Sequence, residues 1–334
     1  MEAIKRFIKR IIPRRAIYYF YLVKAVRAYM YDISRRVRDK VYLDSAEEKV
    51  KRDLALFYHI VEKGLTMPEP RPGFGRAVVM NLIAMVNKYA HAKYTFEDVA
   101  FKQSVSVLKE YQEYHEQISH LLDDELAGKL RSVAERFPDV EGLKQIRTTR
   151  NAYFNDVNSP FDRFCHSRYS VRNYTSERIP VSLLYECVEL AQRSPSFCNR
   201  QPNRVHLVQN PDKKQKILEL QNGNRGFGHL ADTLIIITSS VSTTKDIHER
   251  NENHLNGGMF CMTLLNALHF YRIGACSLNW SVSNQNDSRM RQLLGIPDQE
   301  VILLVISCGF VPEQFSIASS PRIAARQITT VHSV

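Results

Sequence analysis

Three side chains that can bind an anion alternate along one short stretch of the sequence, SRYSVRNY at 167–174. Arg168, Ser170 and Arg172 occupy every second position, so in an extended segment their side chains point to the same side. Two guanidinium groups and a hydroxyl are donors that suit a phosphate dianion. The stretch therefore predicts a phosphate clamp. The alternative is a solvated surface, because arginines and serines at this spacing also occur where they only face water.

A second polar stretch, SPSFCNRQP at 194–202, follows about one helix later. It holds two prolines, which fix the backbone angle φ, and two serines, which form local hydrogen bonds. Such a stretch cannot continue a helix and is a poor strand. It predicts a rigid polar turn before the short strand RVHLVQN.

Other polar groups give weaker signals. SSPRIA places Arg322 after a proline turn, and His59 and Glu62 lie three residues apart on one predicted helical face. For that pair we expect a capped, solvated helix end. The stretch HERNENH has no cysteine pair nearby, so we expect no metal site. The stretch GNRGFG lacks the strand and the GxGxxG spacing of a dinucleotide-binding loop.

The basic charge is concentrated at the N-terminus. The formal net charge is +11, and residues 1–40 hold twelve Lys or Arg against three acidic residues. Aromatic and aliphatic residues alternate with these cations, which is typical of an amphipathic helix. Such a helix can pack on the protein or lie on an anionic membrane surface. We expect packing against the helices of residues 46–150. No nucleic-acid recognition motif accompanies the charge.

The rest of the chain shows two different sequence patterns. Residues 46–150 show helical periodicity, and the Asn-, Pro- and Asp-rich residues 151–164 are interpreted as a linker. After it, helices alternate with apolar runs such as TLIIITSS and VILLVISCGF. This pattern predicts an α+β domain with a sheet flanked by helices. The long apolar helix at about 255–273 is expected at the centre or at a subunit interface.

The six cysteines favour a reducing compartment. None is arranged as CxxC, and all lie between residues 165 and 308. We therefore expect free thiols and a cytoplasmic protein. The longest uncharged run of the N-terminal arm has eight residues, far fewer than the roughly 20 that span a bilayer. Contact with the inner face of a membrane would thus be peripheral.

The order of these motifs resembles the nitroreductase family of FMN-dependent oxidoreductases. SRYSVRNY, a helix, SPSFCNRQP and the following strand match that family's opening motifs, and the likeness continues through LADTLIIITS and RIGACSLNW to SSPRIA. It covers about residues 160–334. We therefore predict three parts: a basic arm at 1–45 and an all-helical region at 46–150, both from the sequence pattern, and an FMN-binding domain with a mixed sheet at 160–334, which the resemblance implies.

The resemblance also implies the site. The FMN phosphate and ribityl chain would contact Arg168, Ser170, Arg172 and Arg322. The isoalloxazine would be lined or braced by residues of the turn, the 221–228 loop and the end of a strand. The full set of cofactor-binding residues is Arg168, Tyr169, Ser170, Arg172, Pro195, Ser196, Phe197, Asn199, Asn224, Asn279, Trp280 and Arg322.

The implied activity needs no catalytic side chain and no metal, because the flavin carries the chemistry. NADH or NADPH would deliver a hydride to flavin N5, and a nitroaromatic, quinone or enone acceptor would then take it in a ping-pong cycle. The family also implies a homodimer with flavins at the interface. The alternative is a flavin-fold protein with an occluded site, acting as a binding or scaffold component, with a cell-envelope membrane surface as one location.

Several positions depart from the family pattern. Bulky Trp280 and Phe197 stand where small residues are common, and Tyr169 stands where a basic or polar residue is frequent. Phe227 replaces a basic residue found in some members. These departures argue against the broad substrate range that is usual in the family.

Overall fold

The computed structural model describes residues 13–43 and 46–332. The first helix, α1, spans Arg14–Arg38, and a π-helical turn, Asp39–Leu43, follows it. Within the described residues, no helix is long and apolar enough to cross a bilayer.

Four helices then pack into a bundle with its own core: α2 Ala46–Leu65, α3 Arg76–His91, α4 Val99–Gln117 and α5 Asp124–Arg136. Capping side chains set the starts of α4 and α5. Asp98 accepts hydrogen bonds from the backbone N–H groups of Ala100 and Phe101, and Asp123 accepts one from Leu126. The apolar faces meet around fully buried aromatic side chains, including Tyr89 and Phe101, which stack at 4.9 Å between ring centroids.

The remaining chain carries the sheets and their covering helices. Its elements are β1 Ile146–Thr149, α6 Arg150–Tyr153, α7 Phe161–Ser167, α8 Val181–Ala191, β2 Asn203–Val208, α9 Pro211–Leu220, β3 Thr233–Ser240, α10 Glu252–Phe270, β4 Gly274–Asn279, α11 Asn284–Leu294, β5 Glu300–Gly309, β6 Gln314–Ile317 and α12 Ala325–Ile328.

Four strands form the main sheet in the order β2-β3-β5-β4. Each neighbouring pair is antiparallel. The central strand β3 is buried on both faces, which explains its continuous apolar sequence. Leu234 and Ile236 belong to the core on one face, whereas Ile235 and Ile237 pack in the core with α8 and α10 on the other. The α+β class with a helix-flanked sheet is thus confirmed.

The end of the helical region differs from the expectation. Residues 46–150 are not all helical, because β1 lies inside that range and pairs antiparallel with β6. The interpretation of residues 151–164 as a linker is also wrong. Tyr153, Phe154 and Val157 are buried in the core beneath the sheet. Turn-forming residues are their neighbours in the sequence, so the local composition favoured a linker over a buried segment.

Helix α1 does not pack on the bundle, so that expectation is wrong. None of its side chains is buried, and Tyr18, Phe20 and Met30 are each more than half exposed. Its main tether is an ion pair in which Arg250 Nε donates to Asp32 Oδ2 at 2.6 Å. Residues 1–12 lie outside the described residues. Peripheral membrane contact through residues 1–40 stays a prediction.

One buried histidine connects α10 to the segment before the predicted clamp. His269 is 1% exposed, and its Nε2 lies 2.8 Å from the hydroxyl of Ser167. Burial, and then the nearby Arg168 charge, lowers the pKa of His269 to about 4. Its Nδ1 has no hydrogen-bond partner among the described residues. The folded protein therefore holds this imidazole in its neutral form.

Acid should destabilise the protein through His269. Between pH 6.5 and 4 the unfolded chain takes up a proton that the folded protein excludes, so the free energy of unfolding falls as the pH falls. From pH 7 to 4.5 we expect this group to remove about 2–3 kcal/mol. Urea unfolding should show that His269→Gln weakens this pH dependence, whereas His254→Gln, at an exposed position of the same helix, does not. An unchanged pH dependence in His269→Gln would contradict the assignment.

Candidate functional site

The predicted clamp segment runs alongside the edge strand β4. The backbone N–H of Val171 donates to the carbonyl of Ala275 at 3.0 Å, and Val171 itself is fully buried. The hydroxyl of Tyr153 donates to the carbonyl of Tyr169 at 2.8 Å. These contacts hold the segment extended, as the alternating pattern requires.

The three clamp side chains keep their donors free. Within the described part of the chain, Arg168, Ser170 and Arg172 form no side-chain hydrogen bond or ion pair with protein groups. Arg168 and Ser170 are partly exposed, and Arg172 is 7% exposed with its guanidinium 5.9 Å from the centroid of the Phe227 ring. A nearly buried guanidinium without a carboxylate partner is costly unless an anion approaches it. This donor set suits the phosphate of FMN.

The SPSFCNRQP turn is held in a backbone conformation that few residues adopt. Cys198, Asn199 and Gln201 all have φ near +50°. The hydroxyl of Ser196 accepts from the backbone N–H of Gln201 at 3.0 Å, and the buried Asn256 of α10 accepts from the N–H of Phe197 at 3.1 Å. The turn is thus rigid and polar, as the sequence predicts.

The outer surface of this turn remains open. Pro195, Phe197 and Asn199 are exposed, and Ser196 is partly exposed. The side chain of Phe197 therefore lies at the surface. It can contact a ligand or a second chain, and whether it narrows a flavin site stays a prediction.

A buried glutamine connects the 221–224 loop to the end of β4. Gln221 Nε2 donates to the carbonyl of Asn279 at 2.9 Å, and its Oε1 accepts from the N–H of Gly223 at 2.7 Å and from Asn224 Nδ2 at 3.1 Å. Asn224 also donates to the carbonyl of Leu218. The structure thus brings Asn224 and Asn279 together, although the amide NH₂ of Asn224 is occupied by protein acceptors.

Trp280 is anchored on α11. Its Nε1 donates to Asp287 Oδ1 at 2.8 Å, and its ring packs against the core beneath the sheet. The indole N–H is therefore satisfied within the protein. Its suggested role as a cap over the site stays a prediction.

Arg322 lies in the segment that follows β6. It is exposed, and its side chain donates a hydrogen bond to the carbonyl of Ser320. Its charge acts on Tyr58 of α2, whose pKa is raised by burial and by Glu62 and lowered by Arg322. A contact between Arg322 and the FMN phosphate therefore stays a prediction.

Sequence reasoning missed Lys63 of α2. Its Nζ donates to the carbonyl of Gly223 at 2.7 Å and lies 5.1 Å from the centroid of the Phe227 ring. Burial, and then the charge of Arg172, lowers the pKa of Lys63 to about 8. Two cations thus flank one buried ring. The sequence could not indicate this contact, because Lys63 and Gly223 are 160 positions apart in the chain.

The His59–Glu62 pair is not the solvated helix end that we expected. Glu62 is fully buried, and its Oε1 accepts from Gln103 Nε2 at 2.7 Å. Its Oε2 lies 3.8 Å from His59 Nδ1. Among the described residues no group of three or more acidic, histidine or cysteine side chains could hold a metal, and all six cysteines are free.

The chain is similar to known proteins. A family model described as the Nitroreductase family matches residues 166–224 and 219–310. Iodotyrosine deiodinase 1 of Mus musculus is 26% identical over 198 residues, which are 50% of this chain and 68% of that protein. An NADH dehydrogenase of Thermus thermophilus is 33% identical over 70 residues, which are 21% of this chain and 33% of that protein.

The fold is also similar to solved structures. A protein of Desulfovibrio desulfuricans, described as a nitroreductase in complex with FMN, is 17% identical with a TM-score of 0.45. The match covers 53% of this chain and 98% of that one. The family match supports the class of flavin oxidoreductase for the matched segment. Residues 166–310, which we call the family domain, match the nitroreductase family, and a helical region precedes them.

Gln221 should be essential for the local structure of the site. Gln221→Leu leaves the Gly223 N–H and the Asn279 carbonyl without this partner at two partly buried hydrogen bonds, so we expect the free energy of unfolding to fall by roughly 1–3 kcal/mol. Chemical denaturation measures this. Gln215→Leu, at an exposed position on α9, should change it by less than about 0.5 kcal/mol. Equal effects of the two substitutions would contradict the role given to Gln221.

Proposed function

We propose that the protein is an FMN-dependent oxidoreductase that takes electrons from NADH or NADPH and passes them to a small organic acceptor. The observation that carries the proposal is the clamp segment, in which Arg168, Ser170 and Arg172 are held extended beside β4 without protein partners for their donors. The family match supports the same cofactor.

The chain's own residues would bind and orient the cofactor. Arg168 and Ser170 would hold the phosphate, and the rigid turn at 194–202 would form a wall against the ring system. Arg172 and Lys63 would place positive charge near Asn224 and Asn279, where an electron-rich ring edge is stabilised. FMN, when bound, supplies hydride acceptance and donation, so the protein needs no nucleophile of its own.

The names of the relatives indicate which classes of acceptor to assay. One relative is named an NADH dehydrogenase and another an iodotyrosine deiodinase. We therefore include 3-iodotyrosine beside a nitroaromatic and a quinone among the acceptors to be assayed. Turnover of one of the three with NADH or NADPH identifies the class of acceptor. Initial rates measured while the concentrations of both substrates are varied test the ping-pong cycle.

Substitution of the clamp should weaken FMN binding. Arg168→Gln removes one charge-assisted contact, which contributes about 1.5–3 kcal/mol, so the dissociation constant for FMN should rise roughly 10- to 100-fold. Isothermal titration of apoprotein with FMN measures it. Arg163→Gln, at an exposed position on α7, is the matched control and should not change the affinity. Equal affinities of the wild type and Arg168→Gln for FMN would contradict the proposal that Arg168 binds the FMN phosphate.

We also propose a homodimer that covers the outer face of α10. Leu255, Met259, Met262 and Phe270 are all more than one third exposed on this helix, although its other side packs on the sheet. Exposed apolar side chains continue on α8 at Tyr185. A continuous apolar face of this kind usually marks an interaction surface. A two-fold dimer would bury the same face from both chains.

One charge on that face should therefore separate the subunits. Met262→Glu would appear twice at a two-fold interface and would bury two like charges. Light scattering should show a dimer for the wild type and a monomer for Met262→Glu. Leu121→Glu, at a 93% exposed position on the helical region, should remain dimeric. A monomeric wild type, or a Met262→Glu dimer of unchanged stability, would contradict the proposal.

A further inference from the structure

A cavity of about 780 Å³ lies where the helical region meets the family domain. We call it the seam cavity. One wall is formed by α2 and the loop that follows it, and the other by the 222–230 loop of the family domain. Its size is within the range of small-molecule sites. Both walls come from one chain, but only one belongs to the segment matched by the family.

The wall from the helical region is held rigidly. The hydroxyls of Tyr111 and Tyr114 donate to the carbonyls of Phe74 and Pro70, each at 2.8 Å. The backbone N–H of Gly73 donates to Nε2 of the buried His115 at 2.9 Å. Every one of these contacts ties the 70–74 loop to α4. The loop is therefore fixed before any ligand arrives.

The facing wall is fitted closely to it. Gly226 has φ of +88°, which side-chain-bearing residues rarely adopt, and a Cβ there would lie 3.2 Å from Met67 Sδ. Lys63 crosses between the walls through its hydrogen bond to Gly223. The cavity therefore lies between two surfaces whose conformations are fixed by contacts within the protein.

The lining of the seam cavity is basic. Lys63, Arg71 and Arg225 contribute three cations, with His229 as a further nitrogen base, whereas Glu69 is the one carboxylate among the lining residues. Within residues 13–43 and 46–332, no ion pair to Lys63, Arg71 or Arg225 is formed. Arg172 lies near the same Phe227 ring as Lys63 and adds to the same positive field. Such a concentration of like charge attracts an anion.

Apart from Asn222, the remainder of the lining is apolar. Ile60, Met67, Phe74, Val78 and Leu230 face the cavity. An inorganic anion would make no use of this surface, whereas an aromatic or aliphatic body would bury it. The lining therefore suits a molecule with both an anionic group and an apolar body.

We propose that the seam cavity binds an aromatic molecule that carries a carboxylate or phosphate group, with the anionic group held by Lys63 and Arg225. The apolar body lies against Met67, Phe74 and Leu230. Because Lys63 lies over the Phe227 ring and its charge interacts with that of Arg172 in the predicted clamp, we assign the bound molecule as the electron acceptor. Only this last statement rests on the proposed function; the binding site does not.

Three matched probes test the proposal: 4-nitrobenzoate, 4-nitrophenyl phosphate and the neutral 4-nitrobenzamide. Isothermal titration on the full chain as purified should show at least one of the two anions binding roughly tenfold or more tightly than the amide. The tighter anion identifies the group as carboxylate or phosphate. Equal affinity for all three, or tightest binding of the amide, would overturn the inference. So would displacement of bound flavin by the anion, because the cavity would then be the cofactor site.

Charge substitutions supply the second test. Arg225→Gln and Lys63→Met should each weaken binding of the preferred anion about tenfold or more, with less than twofold effect on the amide. Arg289→Gln, at an exposed position on α11, is the control and should change neither. Arg225 is exposed, so its substitution leaves the packing intact. Unaltered anion affinity in Arg225→Gln would contradict the site.

The two proposals fail in different ways. A protein that lacks flavin but binds the anion with this charge dependence would refute the proposed function and support the site. A protein that carries flavin and reduces acceptors, but shows no preference for the anions, would support the function and overturn the site.

Discussion

The hydrogen bond from Lys63 Nζ to the carbonyl of Gly223 joins the two parts of this molecule. It brings a cation of the helical region against a ring and a loop of the family domain. Because the ammonium is partly buried, it needs acceptors there, and the backbone of the 222–226 loop supplies one. The position of that loop, and so of Asn224 and Asn279, depends on the same contact through Gln221.

A consequence is that positive charge accumulates at the seam. Arg172 and Lys63 both lie within 6 Å of the centroid of the Phe227 ring, and the lowered pKa of Lys63 reflects burial and the repulsion between the two charges. The folded protein tolerates the two charges without a carboxylate beside them. An arrangement that raises the energy of the free protein in this way is suited to bind an anion or an electron-rich ring edge. Lys63 supplies a cation next to the Phe227 ring.

The main elements of the family domain could be predicted from the sequence. Strands β3 and β5 and helix α10 are long apolar runs, and burial on both faces gives them an unambiguous pattern. The rigid turn at 194–202 was also predictable, because proline and serine chemistry is local. The alternation of Arg168, Ser170 and Arg172 indicated a common side for these side chains in an extended strand or a turn, and the role of the segment with FMN stays a prediction.

Features that depend on distant contacts could not be predicted. Lys63 and Gln221 carry ordinary helix-forming side chains, and only the fold brings them to the site. Phe154 and Val157 lie among turn-forming residues, so local composition favoured a linker where the structure has core. Residues Arg14–Arg38 do form a helix, α1, but an amphipathic pattern does not indicate which surface covers the apolar face of a helix. The homodimer and the compartment likewise stay predictions.

The absorbance spectrum of the purified protein tests the central claim most directly. The account predicts a yellow protein with flavin bands that bleach when NADH or NADPH is added without oxygen, and that return when an acceptor is supplied. A colourless protein that takes up no FMN on titration would contradict it. So would a bound flavin that neither nucleotide reduces.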